Sequence, residues 1–540
     1  MQYPYENLEN FTLPSLLKRS LSLYASNDAF SKVGHKPMKY NEFGKKVESM
    51  TQLLTQNGIK QGDKVALLGE NMPNWSIAYF AITSLGAVVV PILPDFNPAD
   101  VHHIIRHSES KAIFVSEKLL EIVEEIEESQ INFAILLDNL EIIDEKIKQN
   151  FHTPKELSKP NEDDLAAILY TSGTTGHSKG VMLTHKNLVT NALSAYKNIQ
   201  IKSDDVFLSI LPLAHTFECT VGMLIPVLHG ASVVYIDKAP TPNILLKAFA
   251  VVRPTMMLSV PLVIEKIYKN KIQSKFQENK LIRLFYTKFP FVRKRLNKIA
   301  GKKLIETFGG RLRFYGIGGA PLACYVEEFL YEADFPYIIG YGLTETAPLI
   351  AGTRMGMPRK LGSAGLTMPG VEIKIKKEYK EQSEGEIAVK SPSVMFGYYK
   401  DKQKTKEVFD EDGYFLTGDL GYIDEDGYLF ISGRSKNMIL GPSGENIYPE
   451  QIENIINQDA MVLDALVLQK EGKLVAKIHL DYEQINATTT AENIQELLEQ
   501  MRQKVNEKMA SFSKITKFIE QKEPFIKTPT KKIKRYLYEE

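Results

Sequence analysis

Cysteine is almost missing from this chain. Its 540 residues contain two, Cys219 and Cys324, which excludes a disulfide framework and makes a reducing cytoplasm the expected setting. An excess of either charge is missing as well. Lys and Arg together number 66, and so do Asp and Glu, so nothing global points to nucleic acid or another polyanion. No run approaches the roughly 20 apolar residues that a spanning helix needs. The most apolar stretch, Ala78 to Leu93, is broken by Thr83, Ser84, Gly86 and Pro91 and reads as a buried helix running into a strand. The start of the chain carries Glu6 and Glu9 and lacks a basic segment followed by an apolar core, so no secretory signal is expected. Internal repeats and long low-complexity linkers are also lacking.

What is present is a hydrophobic content of 44%, ample for a large core and for more than one domain. Short apolar runs alternate with helical patterns through the first two-thirds. Val65–Leu68, Val88–Ile92, Ala112–Val115, Ala166–Tyr170, Val206–Ile210, Val233–Ile236, Met256–Val260 and Tyr337–Ile339 read as buried strands. Asn41–Gln56 and Glu496–Met509 read as amphipathic helices. This alternation predicts an α/β architecture with parallel sheet. From about Val371 the strands become short and close together, and Asp426-Gly427 marks a tight hairpin turn. That part reads as a small antiparallel, barrel-like annex. After Gly433-Arg434 the pattern resets, which divides the chain into 1–434 and a C-terminal α+β domain, 435–540, of ordinary domain size.

Tyr170 to Gly180 is the most informative segment. Thr171, Ser172, Gly173, Thr174, Thr175 and Gly176 follow the strand Ala166–Tyr170, with Lys179 and Gly180 close behind and a helix from about His185 capped by Thr184. Glycines let backbone N–H groups approach an anion, and hydroxyls add donors, so such a loop suits phosphates. It is not a Walker A loop, because Gly176 is followed by His177 and not by Lys-Ser/Thr.

In this form the loop resembles the signature of the adenylate-forming superfamily, which includes acyl-CoA synthetases, adenylation domains and luciferase. The resemblance extends through further ordered motifs along nearly the whole chain. It implies roles residue by residue. Leu211-Pro212-Leu213-Ala214-His215 with Glu218 is most similar to long-chain fatty-acid–CoA ligases, and places His215 beside the acyl group and the nucleotide. A gating Trp found in some fatty-acid members is replaced here by Cys219. Gly318-Gly319-Ala320-Pro321 implies the wall of an adenine pocket, where glycines permit close approach to a flat ring. Gly340-Tyr341-Gly342-Leu343-Thr344-Glu345 implies that Tyr341 stacks on adenine, Gly342 belongs to the same nucleotide site, Thr344 meets the α-phosphate and Glu345 holds Mg²⁺. Asp419 corresponds to a ribose-binding carboxylate assisted by Arg434. Lys436 matches the position about which a mobile C-terminal lid pivots, and the Gly441 to Glu450 segment matches a loop that serves thioester formation. Near the C-terminus, Lys532 corresponds to a lysine that bridges carboxylate and α-phosphate. Lys531 stands where the family has Gly, leaving two adjacent lysines, of which Lys532 is favoured.

The implied activity is ATP-dependent conversion of a long-chain fatty acid to acyl-AMP with release of pyrophosphate, followed by transfer to coenzyme A. ATP, Mg²⁺ and coenzyme A are the implied cofactors and co-substrates, and nucleic acid is not an expected partner. Alternatives are an acyl-AMP ligase that loads a carrier protein, a ligase for an aryl or medium-chain acid, and a nucleotide-hydrolysing switch. The missing Gly-Lys-Ser/Thr ending speaks against the last. No carrier domain is expected after Glu540. Finally, residues 280–303 contain nine Lys/Arg and no acid, with Phe285, Tyr286, Phe289 and Phe291 among them. Two readings fit this stretch: a peripheral contact with the cytoplasmic membrane face, or a solvated helical insert with a few buried aromatics.

Overall fold

The structure is a computed structural model and describes the chain apart from residues 1–4, 6, 7, 127–130, 146–158, 172–177, 239, 279, 378–382, 442–444, 460, 484, 486–490, 529–531 and 540. The expected α/β architecture is present. One eight-stranded sheet is built around the parallel strands Lys64–Leu68, Val88–Ile92, Ala112–Val115 and Phe133–Leu136. Leu165–Thr171 runs parallel to Val88–Ile92, and Lys179–Thr184 then pairs antiparallel to it. A second, thirteen-stranded sheet has a parallel half formed by Asp28–Lys32, Ser232–Tyr235, Val206–Ser209, Met256–Ser259, Phe314–Ile317 and Tyr337–Gly342. Its other half is the antiparallel annex, joined edge to edge through Leu349–Gly352 and Gly365–Thr367 to Tyr428–Arg434, Phe415–Ile423 and Gly385–Lys390.

The parallel strands are apolar on both faces because helices or the other sheet cover both. Pro73–Ser84 shows this most clearly. Trp75 and every residue from Ser76 to Thr83 are buried, so the helix has no polar stripe and fills space between the two sheets. Trp75 and Tyr79 stack there with centroids 5.4 Å apart. Each such fully buried large side chain contributes roughly 1.5–3 kcal/mol relative to exposure.

One local expectation is borne out and one is corrected. The helix His185–Ser194 does begin at Thr184, whose hydroxyl accepts from the Asn187 N–H at 3.1 Å. A strand, Lys179–Thr184, comes first, so Lys179 and Gly180, read as part of the loop, instead pair antiparallel with Thr171 and Tyr170. Asp419 lies within the strand Phe415–Ile423, next to Gly418 at φ +71°, where glycine is favoured. A C-terminal unit of three strands, Val462–Lys470, Lys473–Leu480 and Lys517–Glu520, carries its own apolar core with the helices Pro449–Ile456 and Ala491–Glu507.

Candidate active site

In the second sheet the strand Val206–Ser209 has Ser232–Tyr235 on one side and Met256–Ser259 on the other. The chain order reverses there, and the crevice beyond the carboxyl ends of such strands is where α/β sheets bind ligands. His215, Gly318 and Thr344 all follow strands of this edge. The sheet topology therefore brings together motifs far apart in sequence.

Asn71 sets the His215 segment. Its side chain donates to the Leu211 carbonyl at 2.6 Å and accepts from the Leu213 N–H at 2.8 Å. The Phe217 N–H donates to His215 Nδ1 at 3.2 Å, which leaves Nε2 as the protonated nitrogen of a neutral ring. Burial, followed by the nearby charge of Lys532, lowers the His215 pKa to about 4, so the ring is neutral throughout the physiological range.

The Thr344–Thr346 turn is clamped from the helix His185–Ser194. Asn191 donates to the carbonyls of Thr346 and Leu349 at 3.1 and 2.9 Å. Gly342 is required by space, because a Cβ there would lie 1.8 Å from the Pro348 carbonyl oxygen. Glu345 accepts from the Tyr398 hydroxyl at 2.9 Å. Tyr398 in turn pairs with Val181 beside the Gly-rich hairpin and has the Lys179 ammonium 5.6 Å from its ring centre. Burial, then the neighbouring Lys404 and Lys436, lower the Lys179 pKa, while Asp401 and Glu345 oppose this. Lys179 and Glu345 thus both contact Tyr398. Ser172, Gly173, Thr174, Thr175 and Gly176 lie outside the described residues.

Asp419 and Arg434 sit opposite one another on paired strands, with Nε to Oδ1 at 2.8 Å. The Tyr341 hydroxyl donates to the other carboxylate oxygen at 2.7 Å. Burial raises the Asp419 pKa and Arg434 counters it. Tyr341 is therefore tied by its hydroxyl to the carboxylate assigned to ribose, which fixes where its ring lies. Gly318 is buried against Phe217, whereas Gly319, Ala320 and Pro321 are exposed at the rim.

Lys532 reaches this cleft from the C-terminal unit. The Thr528 N–H donates to the Lys532 carbonyl at 2.7 Å, and Lys527 pairs with Ile533, so Lys532 stands on one arm of a tight loop whose base is held by Lys527–Asp464 at 2.8 Å. Lys532 is exposed by area, yet protein hems its ammonium. Burial, then Arg434, lower its pKa, while Asp419 and Glu345 raise it. Lys532 therefore lies close enough for its charge to interact with Arg434, Asp419 and Glu345. Lys531 lies outside the described residues. The orientation is held by contacts between the two parts of the chain: Lys269 Nζ donates to the Asn457 carbonyl at 2.7 Å, and the Tyr448 hydroxyl to Glu384 at 2.6 Å. Lys436 is exposed on the short turn Ser435–Asn437 that joins the parts.

Among the described residues no three His, Cys, Asp or Glu side chains cluster so as to hold a metal. Glu345 belongs to no such cluster, and its single carboxylate fits a hard ion sharing its coordination with phosphate oxygens and water.

A small apolar cleft lies on the far side of Phe217, the residue against which Gly318 packs. Phe217, Val221, Leu258, Gly316, Ile338 and Met368 line it, and it encloses about 20 Å³, room for roughly one water. One wall is a wide π-helical turn, Glu218–Leu224. Cys219 is buried in it, with its thiol pKa pushed up to about 12 by burial, so it acts as a small apolar residue. Glu218 is buried too, and one carboxyl oxygen has no partner among the described residues. Its carboxyl lies over Gly222, where a Cβ would come within 2.7 Å. Burial raises its pKa to about 8, above the 4.5 of a free glutamate. The stability due to the neutral carboxyl is therefore complete below the unfolded value and is lost as pH rises toward the folded one. Glu218→Gln keeps the shape and removes the titration. Relative to the parent chain, the variant is expected to gain more than about 1 kcal/mol between about pH 5 and pH 8. Paired thermal melts across that range check this, and a difference independent of pH would show that Glu218 is already ionised when folded.

Sequence reasoning missed Asn71, Asn191 and Tyr398. None belongs to a periodic or Gly-rich motif, and each acts by filling a hydrogen bond that only the folded chain creates.

The fold and this cleft define an adenylate-forming enzyme. The AMP-binding enzyme family model matches residues 18–399, and the AMP-binding enzyme C-terminal domain matches 436–540. The chain is 32% identical over 499 residues to "Long chain acyl-CoA synthetase 6, peroxisomal" of Arabidopsis thaliana, covering 85% of this chain and 71% of that protein. It is 29% identical over 492 residues to the long-chain-fatty-acid–CoA ligase of Salmonella typhimurium, covering 84% and 82%. Among solved structures, ATP-bound MatB from Rhodopseudomonas palustris superposes with a TM-score of 0.77 at 25% identity, covering 98% of each chain. The anthranilate CoA ligase AuaEII, solved with anthranoyl-AMP, shares the fold with a TM-score of 0.79 at 21% identity, covering 99% and 97%. The chain belongs to the AMP-binding enzyme family and, within it, to the long-chain acyl-CoA synthetases.

Proposed function

We propose that the protein joins a long-chain fatty acid to coenzyme A through an acyl-adenylate, with residues 435–540 acting as a lid that pivots at Lys436. The observation that carries this reading is the meeting of Lys532, Glu345, Asp419, Arg434 and neutral His215 around one cleft. A carboxylate is a poor electrophile, and linkage to AMP provides a leaving group. The acid attacks the α-phosphorus of ATP, the bond to the β-phosphate oxygen breaks, and pyrophosphate departs. Two anions must approach, so positive charge is the main requirement.

Lys532 supplies an ammonium at the point where carboxylate and α-phosphate meet. Thr344 offers a hydroxyl to the same phosphate, and His215 presents Nε2–H to the acyl end. Asp419 still has lone pairs for the ribose hydroxyls beyond those used by Tyr341 and Arg434. Tyr341, Gly318, Gly319, Ala320 and Pro321 would border the adenine. The hairpin from Thr171 to Lys179 would receive the β- and γ-phosphates. Glu345 would hold Mg²⁺, which when bound supplies charge neutralisation at the phosphates. In the second step the thiol sulfur of coenzyme A attacks the acyl carbon, its proton leaves, and AMP is expelled. Lys532 must then withdraw, a hinge motion about the Ser435–Asn437 turn.

The apolar cleft is nearly closed, so a long chain must part its walls. Acids of this length partition into bilayers, so the substrate would reach the enzyme from a lipid surface. Incubation with palmitate, ATP and Mg²⁺, with and without coenzyme A, tests the reading. AMP matched by palmitoyl-CoA and dependent on both acid and thiol is expected. Acyl-AMP without a CoA product would move the acceptor to a carrier protein, and turnover only with shorter or aryl acids would overturn the long-chain assignment.

A further inference from the structure

The helices Lys280–Lys288 and Pro290–Thr307 form a hairpin that turns at Phe289-Pro290. Its root is firmly built into the molecule. The Tyr286 hydroxyl donates to Asn297 at 3.1 Å, and buried Asn297 donates to Glu332 at 2.8 Å. Arg293 forks onto Glu332 and Glu328 at 2.6 and 2.9 Å. Lys298 pairs with Asp334 at 2.9 Å, and Phe276 stacks on Tyr286 at 4.8 Å. Two of the nine cations of 280–303 are thereby neutralised, and one of the four aromatics is covered.

The tip is different. Phe285 and Phe289 are 46% and 49% exposed, and Phe291 is 76% exposed. Phe285 and Phe289 have only one another as ring partners among the described residues, at 5.6 Å. Leu284 and Ile299 are also exposed. Around them, Arg283, Lys288, Lys294, Arg295, Lys302 and Lys303 make no ion pair with an acid among the described residues. Single exposed apolar residues are ordinary. Three phenylalanines grouped at the end of a braced hairpin, flanked by cations and by no acid, are not.

We propose that this hairpin docks the enzyme on an anionic lipid bilayer, with Phe285, Phe289 and Phe291 entering the headgroup boundary and the surrounding lysines and arginines meeting lipid phosphates. Charge complementarity selects an anionic partner, and the apolar tip selects one with a hydrocarbon layer over an aqueous polyanion such as RNA. No helix among the described residues is long and apolar enough to cross a membrane, so the contact is a surface one. Docking would bring the chain to the phase that holds a long-chain acid, and in that respect the proposal rests on the function proposed above. The binding itself does not.

The full chain is sedimented with vesicles of phosphatidylcholine, with and without phosphatidylglycerol. Pelleting is expected only with phosphatidylglycerol and is expected to fall steeply as salt is raised. Serine at positions 285, 289 and 291 should each lower partitioning about tenfold, and Lys294→Glu with Arg295→Glu should abolish the preference for anionic lipid. As a direct reading, Phe291→Trp adds a reporter to a chain whose single native tryptophan, Trp75, is fully buried. Its emission is expected to shift to the blue with anionic vesicles. No pelleting at low salt, unchanged pelleting of the serine variants, or binding to RNA but not vesicles would each overturn the proposal. Palmitate activation in the same preparation reads the function separately, so loss of one result does not imply loss of the other.

Discussion

Lys532→Ala is expected to lower acyl-adenylate formation by about 10²–10³-fold or more while leaving thioester formation from supplied acyl-AMP near the parent rate. Adenylation brings a carboxylate against a phosphate, and a preorganised charge there is worth two to three orders of magnitude. Lys532 belongs to the C-terminal unit, and its charge interacts with Asp419, Glu345 and His215. In the second step the nucleophile is a thiol attacking carbon, and the lysine has no further charge to neutralise. Lys532 lies near Arg434, Asp419 and Glu345, the orientation that the proposed first step would use. To leave it, the Lys269–Asn457 and Tyr448–Glu384 contacts must break as the chain turns at Ser435–Asn437. Pyrophosphate exchange measures the first step, and palmitoyl-CoA formed from acyl-AMP measures the second. Equal loss of both would remove the two-orientation account, and equal retention would pass the role to Lys531.

Glu345→Ala is expected to raise the Mg²⁺ concentration needed for half-maximal adenylation by about tenfold to a hundredfold. Removing even a group that only supports a metal ligand commonly costs that much affinity, and among the described residues Glu345 has no neighbouring cluster of ligands to replace it. Tyr398 separates two explanations. Tyr398→Phe removes the 2.9 Å hydrogen bond to Glu345 but keeps the carboxylate, so it should shift the Mg²⁺ titration less than Glu345→Ala. An unchanged titration in Glu345→Ala would take this residue out of the metal site.

Much of the scaffold was legible because it is written in local patterns. The strands Val65–Leu68 and Val88–Ile92 are apolar without interruption because both faces are covered, and that can be read from either run alone. The Thr184 cap and the Asp426-Gly427 turn are also local, since each depends on a side chain or a backbone angle within a few residues. The strand Lys179–Thr184 was not legible. Its pairing with Leu165–Thr171 brings together segments separated by the Gly-rich stretch, and a six-residue run beginning Lys-Gly carries no strand signal of its own. The same limit hid Tyr398, whose value lies in a hydrogen bond to Glu345 across the sheet edge, and Asn191, which holds the Thr344–Thr346 turn from a helix more than a hundred residues earlier.

The sequence by itself determined the chemistry on offer: a Gly- and hydroxyl-rich segment for phosphates, a Tyr-Gly-Leu-Thr-Glu string, Asp419 in a Leu-Thr-Gly-Asp segment, and a lysine in a basic tail. It determined these because each depends on residue type and close spacing. Tertiary structure decided which of them act together. The reversal of strand order beside Val206–Ser209 placed His215, Gly318 and Thr344 on one edge, burial made His215 neutral, and packing of the C-terminal unit carried Lys532 to Asp419 and Glu345. It also left the three phenylalanines of the 280–303 hairpin outside the core while covering Tyr286. Burial and charge proximity are properties of the packed chain as a whole, and no window of sequence contains them.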